Sequence, residues 1–415
     1  MKIAFFVGEF PALSETFVLD QMTALIDRGH SVYIFSERAS RDTVVHDAVA
    51  QYGLLNNTRY ELLPKSWWQR IVGLPPIWRW RRANWRAINV FRYGAVAASL
   101  RLAWAVRMMP EGAEFDILQC HFGASGLKAV QLRKLGAVRG HVVTAFHGED
   151  IENYPKRFRA GHYAPLFADG DLFLPISDRW NATLATLGCP MERLRIHRMG
   201  VDLRNFSDSS TKPSDARRLQ ILTVARLVEK KGIADAIRAV AQLSLPYEFV
   251  IVGDGPLRSV LESLARTLPL SGSIRFAGAL PRRQIAALFE TTDIFLAPSV
   301  TSSDGDIEGI PVAIMEAMAS GIPVVSTRHS AIPELVRDTV SGFLVEEGDV
   351  QSLATRLAQL AHNPDLRTAM GVAGREIVSR DFDVRVLTAQ LVAHYESVLA
   401  AASISQRLSQ QSQHV

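Results

Sequence analysis

The sequence predicts an α/β protein of two domains, each with a parallel sheet whose strand ends face a central cleft. Two observations lead to this fold class. Short runs rich in β-branched and aromatic residues alternate with amphipathic stretches along nearly all of the 415 residues. A polar, proline-containing stretch, SDSSTKPSDA, interrupts this alternation after Phe206. Because strands that alternate with helices form parallel sheets covered on both faces, each half is expected to fold as one such unit.

Five buried strands are expected in each half of the chain. In order, those of the first half are KIAFFVG, SVYIFS, DILQC, HVVTAFHG and DLFLPIS. Those of the second half are LQILTVAR, YEFVIVGDG, SIRFAGAL, TDIFLAPS and IPVVST. The predicted division of the chain is a first Rossmann-like domain at 1–206, a linker at 207–216, a second Rossmann-like domain at 217–382, a C-terminal helix at 383–403 and a polar tail at 404–415. The helix could pack back on the first domain, and the composition of the tail predicts disorder.

The stretch EGIPVAIME places two acids, Glu308 and Glu316, on either side of a predicted helix start. Proline suits the first helical position, so the helix is expected to begin at Pro311. Glu308 would then lie in the loop before the helix and Glu316 in its second turn, while Gly321 would end it. Helix N-termini bind anions, and the pattern therefore predicts an anion site flanked by two carboxylates.

Further signals in the second half favour a nucleotide diphosphate as the anion. In ARLVEKKG, Arg226 and Lys231 follow a predicted strand and could clamp phosphate oxygens, although a solvated surface turn explains them equally well. In VGDGP, Gly253 and Gly255 would permit close approach of the backbone to a ligand. The Glu316 carboxylate could chelate the vicinal hydroxyls of a ribose.

The sequence Asp304-Gly305-Asp306 raises the alternative of a metal site. Paired aspartates of this kind usually follow a strand in single-domain nucleotide-sugar folds. Here they lie in a predicted loop after TDIFLAPSVTSS, where Asp and Gly are favoured for conformational reasons alone. The loop interpretation is therefore preferred, and no metal is predicted.

The segment from Leu62 to Pro110 has an unusual composition, with no acidic residue, nine of the 46 Lys and Arg residues and six of the seven tryptophans. Setting those nine charges aside changes the formal net charge from +4 to −5. Arginine and tryptophan together suit the boundary between anionic headgroups and acyl chains, which predicts contact with a membrane surface. The residues expected at this surface are Trp67, Trp68, Trp78, Arg79, Trp80, Arg81, Arg82, Trp85 and Arg86. An insertion packed on its own domain and a nucleic-acid surface are the alternatives, but the segment matches no nucleic-acid module.

Compartment signals favour the cytoplasm. The N-terminus MKIAFFVGEF has the pattern of a first strand and not of a signal peptide. The most apolar stretch, AINVFRYGAVAASLRLAWAV, is interrupted by Arg92 and Arg101, so no run reaches the 18 or so residues of a membrane span. Cys120 and Cys189 fit neither a metal nor a redox pattern and are expected to be buried thiols. With the basic segment, these features predict a cytoplasmic protein, peripheral on the inner face of the membrane.

Several of these motifs together resemble those of glycosyltransferase family 4. They are FHGED and GVDLRNF in the first half, and ARLVEKKG, IVGDGPLR, FAGALP and LAPSVTSSDGDIEGIPVAIMEAMASGIPVVST in the second. FPALSETFV near the start is most similar to the branch that contains exopolysaccharide transferases of the colanic-acid type. The resemblance covers residues 1 to about 400 and implies the GT-B fold, in which two Rossmann-like domains face each other.

The resemblance also implies roles for particular residues. Glu316 would bind the ribose, and Glu308 would lie beside the donor sugar. Arg226 and Lys231 would neutralise the departing diphosphate, and His147 would face the donor sugar from the first domain. Backbone groups near the donor would come from Gly8, Gly253, Gly255, Gly309, Ile310, Pro311 and Val312.

The activity implied is retaining transfer of a sugar from a UDP- or GDP-linked donor to a lipid-linked oligosaccharide, without a metal or another cofactor. The first domain and its Trp- and Arg-rich segment would lie on the acceptor side. In the same-face route the leaving phosphate oxygen accepts the proton of the acceptor hydroxyl, so catalysis depends on positioning and charge stabilisation. The alternatives are a transferase with a soluble acceptor, a sugar-nucleotide-binding module without turnover, and an epimerase that leaves the sugar attached.

Overall fold

The computed structural model describes residues 1–12, 15–40, 46–75, 82–148, 150–151, 161–207 and 218–411. The strands are β1 (Lys2–Phe10), β2 (Ser31–Ala39), β3 (Thr58–Tyr60), β4 (Glu114–His121), β5 (Arg139–Phe146), β6 (Leu172–Pro175), β7 (Leu219–Val224), β8 (Tyr247–Val252), β9 (Ser273–Gly278), β10 (Ile294–Ala297), β11 (Val324–Thr327) and β12 (Gly342–Val345). The described helices of the first half are α1 (Thr16–Asp27), α2 (Asp47–Gln51), α3 (Trp67–Gly73), α4 (Arg82–Ala87), α5 (Val90–Ala98), α6 (Arg101–Met108), α7 (Gly123–Leu135), α8 (Ala164–Asp169) and α9 (Asp178–Thr186). Those of the second half are α10 (Ile233–Val240), α11 (Arg258–Thr267), α12 (Arg282–Phe289), α13 (Val312–Ala319), α14 (Val350–Ala361), α15 (Pro364–Asp381) and α16 (Val384–Gln411).

The strands form two six-stranded parallel sheets with the same order. The first sheet runs β3-β2-β1-β4-β5-β6 and the second runs β12-β11-β10-β7-β8-β9. Each sheet starts in its middle and changes direction once, between β1 and β4 in the first sheet and between β7 and β10 in the second. Ligands of open α/β sheets bind outside the carboxyl ends of the strands at such a switch point. The predicted α/β fold with two Rossmann-like sheets is confirmed.

The ten strands that the sequence predicts are all present, and two more, β3 and β12, lie at sheet edges. The β3 sequence TRY contains no apolar run, and the β12 sequence GFLV has an apolar run of only three residues. The β1 strand continues to Phe10, so Gly8 lies within this strand. The pattern VGEFP instead suggests that Gly8 belongs to the loop after the strand, and this expectation is wrong. A Cβ atom on Gly8 would meet no atom within 4 Å, so packing does not demand glycine at this position.

Strand β1 shows why the central strands appear in the sequence as continuous apolar runs. Ile3 and Phe5 belong to one hydrophobic cluster, whereas Ala4 and Phe6 belong to another on the opposite face of the sheet. Successive side chains of a strand point to opposite faces, and both faces of this strand are covered. Four consecutive apolar residues are therefore buried.

The C-terminal helix α16 packs against the first sheet. Leu391 and Tyr395 join the cluster that contains Ile3 and Phe5, and the Tyr395 hydroxyl donates to Gln119 Oε1 at 2.8 Å. The helix continues to Gln411, which corrects the expectation that the polar tail begins at 404. The stretch ISQRLSQQ contains no Gly or Pro to end a helix, and Gln, Arg and Leu are good helix formers. Of the predicted linker at 207–216, only Ser207 lies within the described residues.

Candidate active site

Half of the predicted catalytic and donor-site residues lie on two loops at the switch point of the second sheet. Arg226 follows β7, and Glu308 belongs to the loop at 298–311 that follows β10. The hydroxyl of Ser326 on β11 donates to the carbonyl oxygen of Ala297 at 2.6 Å and so fixes the start of this loop. The sheet order therefore brings together residues that are about 80 positions apart in the chain.

A cluster of ion pairs joins these two loops. Lys231 Nζ contacts the Glu308 carboxylate. Lys230 Nζ lies 2.9 Å from Asp306 Oδ2 and 3.6 Å from Glu308 Oε1. Burial, with the charges of Lys230 and Arg226, lowers the pKa of Lys231 to about 7, while the charge of Asp306 opposes this shift. When Lys231 is protonated, three cations face two acids, and this excess of positive charge suits the oxygens of a phosphate.

Helix α13 begins close to this cluster. Pro311 is its N-cap residue and Val312 its first residue, so the helix starts one position later than predicted. Glu308 precedes it and Glu316 lies in its second turn, as predicted, and Gly321, with φ of 72°, lies just beyond its end. Glu308, which pairs with Lys231, precedes the start of α13, whose free backbone N–H groups carry partial positive charge.

Glu316 is buried and meets an arginine that connects the two domains. Arg282 Nη2 lies 3.8 Å from Glu316 Oε1. The same guanidinium donates to both carboxylate oxygens of Asp20, on α1 of the first domain, at 2.7 and 2.9 Å. Burial raises the pKa of Glu316 to about 7, and the charge of Arg282 opposes that rise. The predicted ribose site thus lies directly at an interdomain ion pair.

Gly253 and Gly255 approach the protein's own backbone, and their predicted approach to a ligand stays a prediction. A Cβ atom on Gly253 would lie 1.9 Å from the carbonyl oxygen of Ala225, and one on Gly255 would lie 2.5 Å from that of Leu227. The turn after β7 already fills the space next to both glycines. The need for glycine at both positions is therefore explained by the packing of two neighbouring loops.

Gly309 lies where the two domains come into backbone contact. A Cβ atom on this residue would lie 2.6 Å from the carbonyl oxygen of His147 and 3.3 Å from Ile176 Cδ1. Nearby, the Glu334 carboxylate accepts hydrogen bonds from two backbone N–H groups at the start of α9, at 3.0 and 3.2 Å. The loop that carries Glu308 therefore touches the first domain at the end of β5, where only glycine fits.

The side chain of His147 is held by a chain of hydrogen bonds. Its Nε2 atom lies 3.0 Å from His121 Nδ1, and His121 Nε2 lies 3.0 Å from the Gln21 amide oxygen. Because that oxygen accepts, His121 carries its proton on Nε2, and His147 donates from its own Nε2. Burial holds the pKa of His147 well below its usual range. His147 Nδ1 is thus an acceptor, and it has no partner among the described residues.

The ring of His147 faces a small cavity between the first domain and the start of α16. His197 also lines this cavity, and its Nδ1 atom likewise has no partner within the described part of the chain. The sequence predicts that His147 faces the donor sugar across the cleft, but it is the carbonyl group that touches the second domain, at Gly309. The other residues around the cavity include Phe17, Gln21, His121, Gly200, Val384 and Thr388.

Asp304 and Asp306 have partners within the protein. Asp304 Oδ1 accepts from Ser302 Oγ at 2.5 Å and from the backbone nitrogen of Asp306 at 3.1 Å. Gly305 between them has a φ of 79°, as expected of a tight turn, and Asp306 pairs with Lys230. Over the residues that the structure describes, no group of three or more His, Cys, Asp or Glu side chains is arranged to hold a metal ion.

The Trp- and Arg-rich segment forms helices α3 to α6 and exposes large apolar side chains. Trp68 and Val72 on α3 are 70% and 82% exposed, and Phe91 on α5 is fully exposed. Trp104, by contrast, is buried and donates to the carbonyl oxygen of Arg70 at 3.0 Å. Trp67 and Trp85 are also exposed, whereas the predicted surface residues Trp78, Arg79, Trp80 and Arg81 lie outside the described residues. Within the described ranges, no helix has the length and apolarity needed to cross a membrane.

Two facing Rossmann-like domains with a site at the switch point of the second sheet have the GT-B architecture. Residues 14–205 match the model of Glycosyltransferase Family 4, and residues 206–377 match that of Glycosyl transferases group 1. The chain is 40% identical to WcaL of Salmonella typhimurium, named as a colanic acid biosynthesis glycosyltransferase, over 96% of this chain and 100% of WcaL. The chain belongs to glycosyltransferase family 4.

A second relative and a solved structure agree with this assignment. The chain is 38% identical to AmsK of Erwinia amylovora, an amylovoran biosynthesis glycosyltransferase, over 94% of this chain and 98% of AmsK. The crystal structure of Anabaena Alr3699/HepE in complex with UDP-glucose superimposes with a TM-score of 0.71 at 18% identity, over 96% of this chain and 100% of HepE. At that identity, the likeness to HepE concerns the fold alone.

Proposed function

We propose that this protein is a retaining, metal-independent glycosyltransferase that moves a sugar from a UDP- or GDP-linked donor to a lipid-linked oligosaccharide. The observation that carries the proposal is the cluster of Arg226, Lys230 and Lys231 beside Glu308 at the start of α13. The relatives named for colanic acid and amylovoran biosynthesis support a role in bacterial exopolysaccharide or lipopolysaccharide synthesis.

The donor diphosphate would bind between these cations and the N-terminus of α13. Phosphate oxygens compete with the Glu308 carboxylate for Lys231, so donor binding releases Glu308 to contact the sugar. Glu316 would accept hydrogen bonds from the ribose hydroxyls. The chain then stabilises the charge of the departing diphosphate, whose oxygen accepts the proton of the incoming hydroxyl on the same face. Protein cations supply the field that a metal would otherwise supply.

The enzyme is tested with a panel of UDP- and GDP-linked sugars, without acceptor and in excess EDTA. It is expected to hydrolyse at least one of these donors slowly and to release UDP or GDP. The physical reason is that Arg226 and Lys231 suffice to stabilise the leaving group. Asp304→Asn is the matched control and should hydrolyse the donor at a rate close to that of the wild type. Failure to hydrolyse any donor would contradict the transferase proposal, and activity that returns only with magnesium or manganese would contradict metal independence.

The acceptor side is proposed to lie on the inner face of the cell membrane. Trp68, Val72 and Phe91 expose apolar side chains in a segment that holds no acidic residue between Leu62 and Pro110. Apolar groups that enter the interface, together with cations near anionic headgroups, are the two components of stable peripheral binding. The location matches the proposed substrate, because a lipid-linked oligosaccharide is anchored at that surface.

Vesicles with anionic lipid are expected to bind the wild-type protein, less tightly but still measurably as salt rises, because salt screens charges but not apolar contacts. The double variant Trp68→Ser/Phe91→Ser should lose at least about tenfold in affinity. Val260→Ser is the control, since Val260 is 62% exposed on α11 of the second domain. A second variant replaces by Ser the four residues Arg79, Arg81, Arg82 and Arg86. Its affinity for the vesicles should fall roughly 100-fold or more at low salt. Full retention of vesicle binding by both folded variants would favour a soluble acceptor.

A further inference from the structure

A buried histidine, which no sequence motif indicates, accepts a hydrogen bond from the backbone of the loop that carries Glu308. His329 lies two residues after β11 and is 1% exposed. Its Nε2 atom accepts a hydrogen bond from the backbone nitrogen of Glu308 at 2.9 Å. Its Nδ1 atom lies 2.6 Å from Oε1 of Glu347, two residues after β12. Two neighbouring strands of the second sheet thus contribute one residue each to a support for the loop.

The partners of His329 determine which ring nitrogen carries the proton. A backbone N–H group can only donate, so the Nε2 atom that faces Glu308 must have a free lone pair. The ring is therefore neutral and carries its proton on Nδ1, which donates to Glu347. Protonation of Nε2 would place one donor against another and break the contact with Glu308.

Glu347 holds the same loop at a second point. Its Oε2 atom accepts from the backbone nitrogen of Thr301 at 2.7 Å, while Oε1 accepts from His329. One carboxylate thus fixes the beginning of the loop directly and, through the imidazole, its end at Glu308. Because Gly309 is in backbone contact with His147, any shift of Glu308 also changes the fit between the domains.

We propose that His329 and Glu347 are positioning residues for the transfer step, which act by holding the backbone of Glu308. The inference depends on the proposed function, because it takes Glu308 to lie beside the donor sugar. A displacement of about 1 Å at a reacting centre can lower a rate on the order of 100-fold, so the support contributes to catalysis without touching the substrate.

The surroundings of His329 keep the ring in the form that this role requires. Burial lowers its pKa, and the charges of Arg179 from the first domain and of Lys230 lower it further. The Glu347 carboxylate acts in the opposite direction but does not reverse the shift. The neutral ring therefore persists at pH 7, and with it the acceptor for Glu308.

Two substitutions at His329 separate its two hydrogen bonds. The amide oxygen of a glutamine reaches about as far as Nε2, so His329→Gln keeps an acceptor for Glu308. The shorter amide of an asparagine reaches about as far as Nδ1, so His329→Asn keeps a donor for Glu347 and loses that acceptor. The assay is hydrolysis of the nucleotide sugar that the wild-type enzyme hydrolyses fastest within a panel of UDP- and GDP-sugars, with calorimetry of bare UDP and GDP.

His329→Asn is expected to lower the rate constant of hydrolysis on the order of 100-fold, with the affinity for the bare nucleotide within about twofold of wild type. His329→Gln should keep the rate within about threefold, because the bond to Glu308 persists. Equal losses in both variants, or a near-normal rate in His329→Asn, would overturn the inference. A purely structural role would lower melting temperature and nucleotide affinity together.

A second measurement does not depend on how the variants fold. Wild-type protein labelled with nitrogen-15 in its histidines should show His329 neutral, with its proton on Nδ1, and a proton on Nε2 would overturn the inference. Glu308→Gln distinguishes the two proposals. If this variant retains full activity, Glu308 has no role beside the sugar, and the positioning role fails while the proposed function stands. If the wild-type enzyme hydrolyses no donor, the proposed function is wrong and the positioning role falls with it.

Discussion

Replacement of Arg226 or Lys231 by alanine is expected to slow transfer by about 150-fold in each case while the fold stays intact. A donor group aimed at developing charge contributes on the order of 3 kcal/mol to the transition state, and each 1.36 kcal/mol corresponds to about a tenfold change in rate. Arg226 is exposed and Lys231 borders the Glu308 carboxylate, so both can reach a diphosphate at the start of α13. Steady-state kinetics with a nucleotide-sugar donor measure the effect as kcat/KM.

The matched control for these variants is Arg238→Ala, which removes a surface cation from α10 of the same domain. Arg238 pairs with Asp235 at 2.9 Å on the helix surface, and such pairs contribute little to stability. Its kcat/KM should stay close to the wild-type value. Near-normal turnover in both Arg226→Ala and Lys231→Ala, in correctly folded protein, would show that the diphosphate binds elsewhere.

Glu316→Gln is expected to weaken binding of the bare nucleotide diphosphate by about 10- to 100-fold, since it removes a charged acceptor from the ribose hydroxyls. Glu308→Gln should affect mainly transfer, because Glu308 precedes the helix beside the expected sugar position. Calorimetry with UDP and GDP measures the first effect, and donor hydrolysis measures the second. The reverse order of effects would contradict the roles given to the two acids.

The same Glu316→Gln variant should be more stable than the wild type at pH 8 and not at pH 5. Burial raises the pKa of Glu316 from 4.5 to about 7, so ionisation of this carboxyl favours the unfolded chain between those values. Its penalty grows as pH rises through that range and is complete above pH 7, where it reaches on the order of 3 kcal/mol. Melting temperatures at the two pH values test this, and an equal difference at both would contradict it.

Structural features that depend only on residues close together in the sequence could be predicted. The central strands were found because their residues are buried on both faces, which leaves a continuous apolar run. The helix between Glu308 and Gly321 was found because Pro311 and Gly321 mark its ends through their own backbone preferences. The edge strands β3 and β12 are missed because TRY contains no apolar run and the apolar run of GFLV has only three residues.

Features that join distant parts of the chain could not be predicted in this way. Arg282 and Asp20 are 262 positions apart, and His329 is 21 positions from Glu308. One signal was nevertheless present at Arg282, which is the first residue of α12. A cation is disfavoured at that end of a helix by the macrodipole, and its presence there indicates a partner elsewhere in the protein.

The contact at Gly309 has a consequence for divergence within the family. Because the peptide backbone of this loop lies directly against the carbonyl group of His147, the distance between the two domains at this point does not depend on side-chain size. Substitutions of the residues on either side would therefore leave the spacing of the domains at this point unchanged. Relatives that keep a glycine here could exchange the neighbouring side chains without altering how the two domains fit together.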